Sequence, residues 1–295
     1  MLSNASKILF DYKYRVLITL FFIIFSPFIG ENIQNNIALI LIFTIGIIHG
    51  SNDLKLIQKK TKNFSKNFFF RVLFFYVLVV IIGILVFFTY PLFGLIAFII
   101  FSAFHFGEQH LKTFEVKSKN KFLIFLFYIS YGLLILNLLF FLKFDNVSEI
   151  IKLISNFDLK NHQISYVLIS SFLSFSLFVL LLNKTFKTLY EFFLIVLLGF
   201  LFNTSSLILG FSIYFVFWHS FPSVKDQITY LYGNFEYYNL VKYIKSSVLY
   251  WFISLFAIFI AYNFLDFRQD YFLPLFFSFL AAITFPHTIV IGSLK

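Results

Sequence analysis

Four histidines stand where side chains able to do chemistry are scarce. His49, His105, His219 and His287 lie in or at the end of apolar runs, in the contexts TIGIIHGSND, FSAFHFGEQH, YFVFWHSFPS and AITFPHTIVI. Ionisable residues inside a membrane are costly and mark functional sites by default. Neutral imidazole is a ligand for iron, copper, zinc and nickel; an all-histidine set with open positions favours a redox-active iron that binds dioxygen. Carboxylates accompany three of the four. Asp53 follows His49 by four residues on one helical face, Glu108 follows His105 by three, and Asp226 follows His219 by seven across Pro222. A metal-bound histidine commonly gives its second N–H to a carboxylate or carbonyl, so these acids are expected behind the ligands. For Asp53 and Asp226, pairing with the adjacent Lys55 and Lys225 is the competing reading. The remaining histidines, His110 near Lys112 and His162 near Lys160, are expected in solvent.

The elements that must position these residues are membrane helices. The chain has 295 residues, of which 60% are hydrophobic and 12% charged, with 50 Phe. A soluble domain is about a quarter charged, so a soluble enzyme, a disordered chain and a nucleic-acid-binding domain are excluded. The absence of cysteine excludes disulfides, thiolate metal sites and thiol catalysis. A helix crossing the hydrocarbon core needs about 20 mostly apolar residues. Ten runs are read as spans: 16–30, 35–52, 72–90, 92–108, 122–142, 164–182, 189–202, 205–221, 247–265 and 271–293. The first is expected to be retained, since Pro27 and Gly30 end it with no small-residue cleavage site after it. The expected architecture is all-α, polytopic, a single transmembrane domain over 1–295, with loops at 143–163 and 222–246. Phe221-Pro222 is expected to end the helix near His219.

Basic residues test that count, because they favour cytoplasmic loops. With the N-terminus inside, 19 of the 23 Lys and Arg fall on the cytoplasmic face and four (Lys143, Lys152, Lys160 and Arg268) on the other. The split supports an N-in, C-in orientation, and the net charge of +10 becomes a topology signal. In this arrangement the four histidines lie on spans 2, 4, 8 and 10, all running outside to inside. All four fall toward the cytoplasmic end, at similar depth.

At these motifs the sequence resembles the Brp/Blh family of bacterial integral-membrane β-carotene 15,15′-dioxygenases. The family motif like P-H-G-x-x-D is matched by Ile48-His49-Gly50-Ser51-Asn52-Asp53, with Ile for Pro. The motif like H-F-G-x-x-D is matched by His105-Phe106-Gly107-Glu108-Gln109-His110, ending in His. The motif like H-S-x-x-H is matched by His219-Ser220-Phe221-Pro222-Ser223, with Ser223 for the second His. The motif like P-H-x-x-x-x-D keeps Pro286-His287, with Gly292 at the Asp position. The resemblance implies Fe(2+)- and O2-dependent cleavage of the central double bond of β-carotene, or a related carotenoid, into two retinal molecules. It implies His49, His105 and His219 as ligands; Ser223 is a poor ligand for iron(II), so His287 is expected to complete the set. No catalytic residue beyond the ligands is expected. The substrate would enter from the lipid bilayer of a bacterial inner membrane, and Phe104, Phe106, Phe217, Trp218, Phe221 and Phe285 are expected along its path. By analogy with the family, a retinal-binding protein would take the product.

Two other functions compete. A haem-binding electron-transfer protein would use histidines as axial ligands, usually in pairs at two depths. A proton-coupled transporter would place carboxylates near the midplane and show inverted repeats; the sequence has no repeat, and its span interiors are expected to be almost free of charge.

Overall fold

The computed structural model describes residues 4–61, 65–111, 118–182, 186–264 and 272–294, with residues 4–11, 186–189 and 264 as backbone only. Among them there is helix and turn but no strand. The order is α1 (Asn4–Phe25), α2 (Glu31–Leu41), α3 (Asp53–Lys60), α4 (Lys66–Thr89), α5 (Pro91–Leu111), α6 (Lys121–Leu142) and α7 (Phe144–Ser155). Then follow α8 (Asn161–Leu182), α9 (Phe186–Thr204), α10 (Leu207–Ile213), α11 (Phe221–Tyr232), α12 (Tyr237–Phe264) and α13 (Phe272–Ser293). Two π-helical segments, Ile42–Gly46 and Tyr214–Ser220, follow α2 and α10.

Seven helices among the described residues are long and apolar enough to cross a membrane: α4, α5, α6, α8, the rod Leu207–Tyr232, α12 and α13. The chain is an all-α polytopic membrane protein, but the expected ten spans become seven by this measure. Run 16–30 forms only the later part of α1 and stops in a 3-10 turn, Ser26–Phe28, at Pro27. Run 35–52 is broken into α2, a π segment and a turn at 49–52. In run 189–202 the described apolar helix is Tyr190–Thr204, too short by itself. Of the basic residues used for orientation, Lys62, Lys112, Lys117, Lys184, Arg268 and Lys295 lie outside the described residues.

Two further expectations are corrected. Pro222 does not end a helix. It sits in the first turn of α11, directly after the π segment, and the rod continues from Leu207 to Tyr232. The stretch 143–163 is not a bare loop but carries α7. Val147, Ile150, Ile151 and Ile154 recur at i, i+3, i+4 and i+7, the spacing of one helical face, and turn inward, while Asp145, Glu149 and Lys152 are exposed.

The closest helix pair is α5 with α6, which run antiparallel. A Cβ on Gly107 would collide with the carbonyl of Tyr128, and one on Gly132 with that of Ala103. Small residues let backbones touch where lipid offers no hydrophobic drive for association. This contact fixes α5, the carrier of His105. On the periphery, α4 and α12 expose Phe70, Phe74, Phe75, Phe88, Phe252, Phe256 and Phe259, so a good share of the phenylalanine faces outward.

Candidate metal centre

The four histidines come from four segments that bring them to one level. His49 lies in the turn after the first π segment, His105 near the end of α5, His219 within the second π segment, and His287 on α13 just after Pro286. Both π segments serve the site, and short π-helical insertions often mark functional positions. Gly46, the last residue of the first, accepts a hydrogen bond from Nδ1 of His49.

The imidazoles form a closed circuit. Ring centroids are 4.7 Å apart for His49 and His287, 5.1 Å for His287 and His105, 4.6 Å for His105 and His219, and 5.3 Å for His219 and His49. Every contact is edge to face, and all four residues are buried. Ligand nitrogens of His49, His105 and His287 all lie within 4.8 Å of one another; His219 closes the circuit by ring contact.

Hydrogen bonds set which nitrogen faces the centre. Nδ1 of His287 donates to Oδ1 of Asp53 at 2.8 Å, and Nδ1 of His49 is held by Gly46. In each case Nε2 keeps its lone pair. Nε2 of His287 and both ring nitrogens of His219 have no hydrogen-bond partner. A buried polar group left unsatisfied costs about 1–3 kcal/mol. Unpartnered nitrogens on two of these rings, His219 and His287, which come from separate segments, fit a metal ion that would bond to one nitrogen of each. Phe215 stacks on His219 at 5.8 Å and meets His49 edge-on at 5.4 Å, covering the rings from one side.

A polar network supports the turn that carries His49. Gln227 Nε2 donates to the His49 carbonyl at 2.8 Å and to Ser223 Oγ at 3.0 Å, and Tyr243 OH donates to Gln227 Oε1 at 2.7 Å. Asn52 donates to Ser247 Oγ at 2.6 Å and accepts from Ser246 at 2.8 Å. Tyr76 OH donates to Oδ2 of Asp53 at 3.1 Å. These residues escaped the sequence reading because their partners are up to 195 positions away. Ser223, at the place of the family's second histidine, is part of this support.

The expected acids separate. Asp53 backs His287 across the bundle, not its neighbour His49, because the turn at 49–52 breaks the helical register between them. Glu108 lies near Tyr128 of α6, and Asp226 accepts from Gln109 at 2.9 Å in an exposed bond.

Among the expected aromatics, Phe106 stands apart. Its ring is 4.6 Å from that of His219, and it lines a largely apolar cavity. Phe104 packs on Phe125 and Phe285 on Phe101. Phe217 is half-buried in the main core, and Phe221 is exposed beside Phe235. The cavity is bounded by α5 (Leu95, Phe98, Ser102), the end of α6, the start of α10 and the inner face of α7.

His110 overturns its expectation of solvent. It is buried, with Nε2 2.9 Å from Oε2 of Glu191, which also accepts from Tyr131 OH at 3.1 Å. Its ring stacks on Trp218 at 5.8 Å and 14°, so Trp218 serves this cluster; the indole N–H donates to Thr19 Oγ1 at 3.0 Å. Glu191, at the start of the short apolar helix Tyr190–Thr204, and Asp53, the first residue of α3, are both buried. His162 is exposed, as its polar surroundings indicate.

No curated protein and no solved structure matches the chain. The sequence model of one family, described as beta-carotene 15,15′-dioxygenase, matches residues 40–295, a range that contains all four histidines and their motifs. The chain therefore belongs to the β-carotene 15,15′-dioxygenase family, whose substrates are a carotenoid and dioxygen.

Proposed function

We propose that the protein cleaves the central double bond of β-carotene with dioxygen, giving two molecules of retinal, at an iron(II) ion held by His49, His105, His219 and His287. The observation that carries this reading is the closed circuit of four buried imidazoles, with unpartnered nitrogens on His219 and His287. Iron(II) bound there supplies the electrons and open positions that make dioxygen reactive toward an electron-rich alkene. Neutral imidazoles alone do not choose among iron, copper, zinc and nickel; the dioxygen chemistry of the family favours iron.

The residues of the chain have the simpler tasks of holding and shielding. Asp53 and the Gly46 carbonyl fix the tautomers of His287 and His49. Gln227 and Tyr243 hold the turn of His49. Phe106 and Phe215 wall the rings with apolar surface, which keeps water out. The reaction balances without further groups: the central C=C bond and the O–O bond break, two C=O bonds form, and each aldehyde keeps one oxygen atom. No outside reductant and no acid–base pair is required.

An apolar substrate would arrive through the lipid of the membrane that the chain spans, taken here to be a bacterial inner membrane. Edge-to-face contact around the circuit leaves no slot for a porphyrin between adjacent rings, which disfavours the haem reading. The test is expression in a host that makes β-carotene. Loss of colour with oxygen-dependent retinal formation is expected; unchanged carotene beside folded, iron-loaded protein would refute the substrate.

A further inference from the structure

The cavity has a floor at a telling distance from the histidines. On α5 its lining runs along one face from Leu95 to Phe106. At a rise of 1.5 Å per residue, those eleven steps cover about 16 Å. At the upper end, Ser102 lies one turn before His105 and Phe106 touches His219. Toward the lower end, α7 lines the space with Val147, Ile150, Ile151 and Ile154. The lining is apolar except for Ser102, which sits at the histidine end.

From these dimensions we infer that the cavity receives one half of the carotenoid and that α7 sets the cleavage position by stopping its end group. This rests on the function proposed above. A zigzag carbon chain advances about 1.2 Å per bond, as extended backbone does, so roughly nine bonds from the central double bond to a terminal ring span about 11 Å. The ring itself brings the half-molecule to about 15 Å on the same scale. A cavity of that depth holds half of a symmetric rod and leaves its midpoint at the histidines. Apolar walls cannot choose a register along a polyene, since every bond looks alike to them. A hard stop at one end can. Ile150 and Val147 are suited to that task because both are buried in the main core rather than facing lipid, and α7 packs on α5, α6 and α13.

The test fills the floor. Ile150→Trp, with Ile150→Phe as the milder change, should lower retinal formation from β-carotene by about ten-fold or more, the scale of steric discrimination in an apolar pocket. An apocarotenal shortened at one end should still be cleaved near the wild-type rate, and residual β-carotene products should become an unequal pair of aldehydes. Glu149→Gln, on the exposed face of α7, should change nothing. Retinal as the sole product of both Ile150 variants at the wild-type rate, or equal losses with both substrates in iron-loaded protein, would overturn the stop. Carotenoid retained on protein purified from a carotene-making host gives a readout free of catalysis: the Ile150 variants should carry less than the wild type. If the wild type retains carotenoid without cleaving it, the proposed reaction fails while the cavity assignment stands. Equal retention in wild type and variants removes the cavity assignment.

Discussion

Five residues separate His105 from His110 on α5, and that spacing carries them to different sides of the helix, about 140° apart. His105 meets imidazoles from two other segments. His110 meets a carboxylate, a phenol and an indole. Both are buried to 5% exposure or less, so burial does not tell them apart. The difference lies in their partners. Around His105, ligand nitrogens converge and each neighbouring ring, His219 and His287, keeps a nitrogen without a hydrogen bond, which suits a cation that bonds to nitrogen. Around His110, Glu191 offers a carboxyl oxygen at hydrogen-bond distance, and a ring held that way serves packing between α5, α6 and α9. A buried histidine points to a metal when its neighbours are other neutral donors, and to an internal pair when its neighbour is an acid.

The largest expected effect tests that contrast directly. His49→Ala, His105→Ala, His219→Ala and His287→Ala should each leave the purified protein nearly free of iron by elemental analysis, while His110→Ala and His162→Ala keep it. Iron lost equally from His110→Ala would merge the two sites; full iron in His287→Ala would remove it from the ligand set. Next, Glu191→Leu should destabilise the protein by about 3–5 kcal/mol, the cost of breaking a buried pair from one side, read as unfolding in detergent, with iron retained in the folded fraction. Asp53→Asn should weaken iron retention by about 10–100-fold under chelator challenge, as expected for a group that orients a ligand, while stability falls less than for Glu191→Leu. Smallest is Tyr76→Phe, which deletes one hydrogen bond to Asp53 and should cost about 0.5–1.5 kcal/mol, seen as slightly faster iron loss. An unchanged rate there would limit the support of His287 to Asp53 alone.

The gathering of the four histidines was largely legible in the sequence, because an apolar background makes each of the four positions conspicuous. The grouping of His287 with the other three also followed, once Ser223 was seen to be a poor donor. The acids were harder. Asp53 is four residues from His49, and only the turn at 49–52 redirects it to His287. Glu191 opens a short apolar run and takes its meaning from His110, 81 positions earlier; no local pattern links them. α7 had a readable signal, the i, i+3, i+4, i+7 stripe from Val147 to Ile154, hidden by charged residues that resemble a loop. The span count failed where π segments, turns and short helices divide apolar sequence that reads as continuous.

One bond reaches beyond the matched family range. Trp218, adjacent to His219, donates its indole N–H to Thr19 on α1, and Tyr12 packs against the same indole at 6.0 Å. Residues 1–39 lie outside the range that defines the family, yet they supply this acceptor and part of the wall. A chain begun at residue 40 would bury an N–H with nothing to receive it, next to a proposed iron ligand. The portion by which the family is recognised is therefore smaller than the portion that must fold together, and trimming this protein to its matched range would remove a supporting piece of the centre.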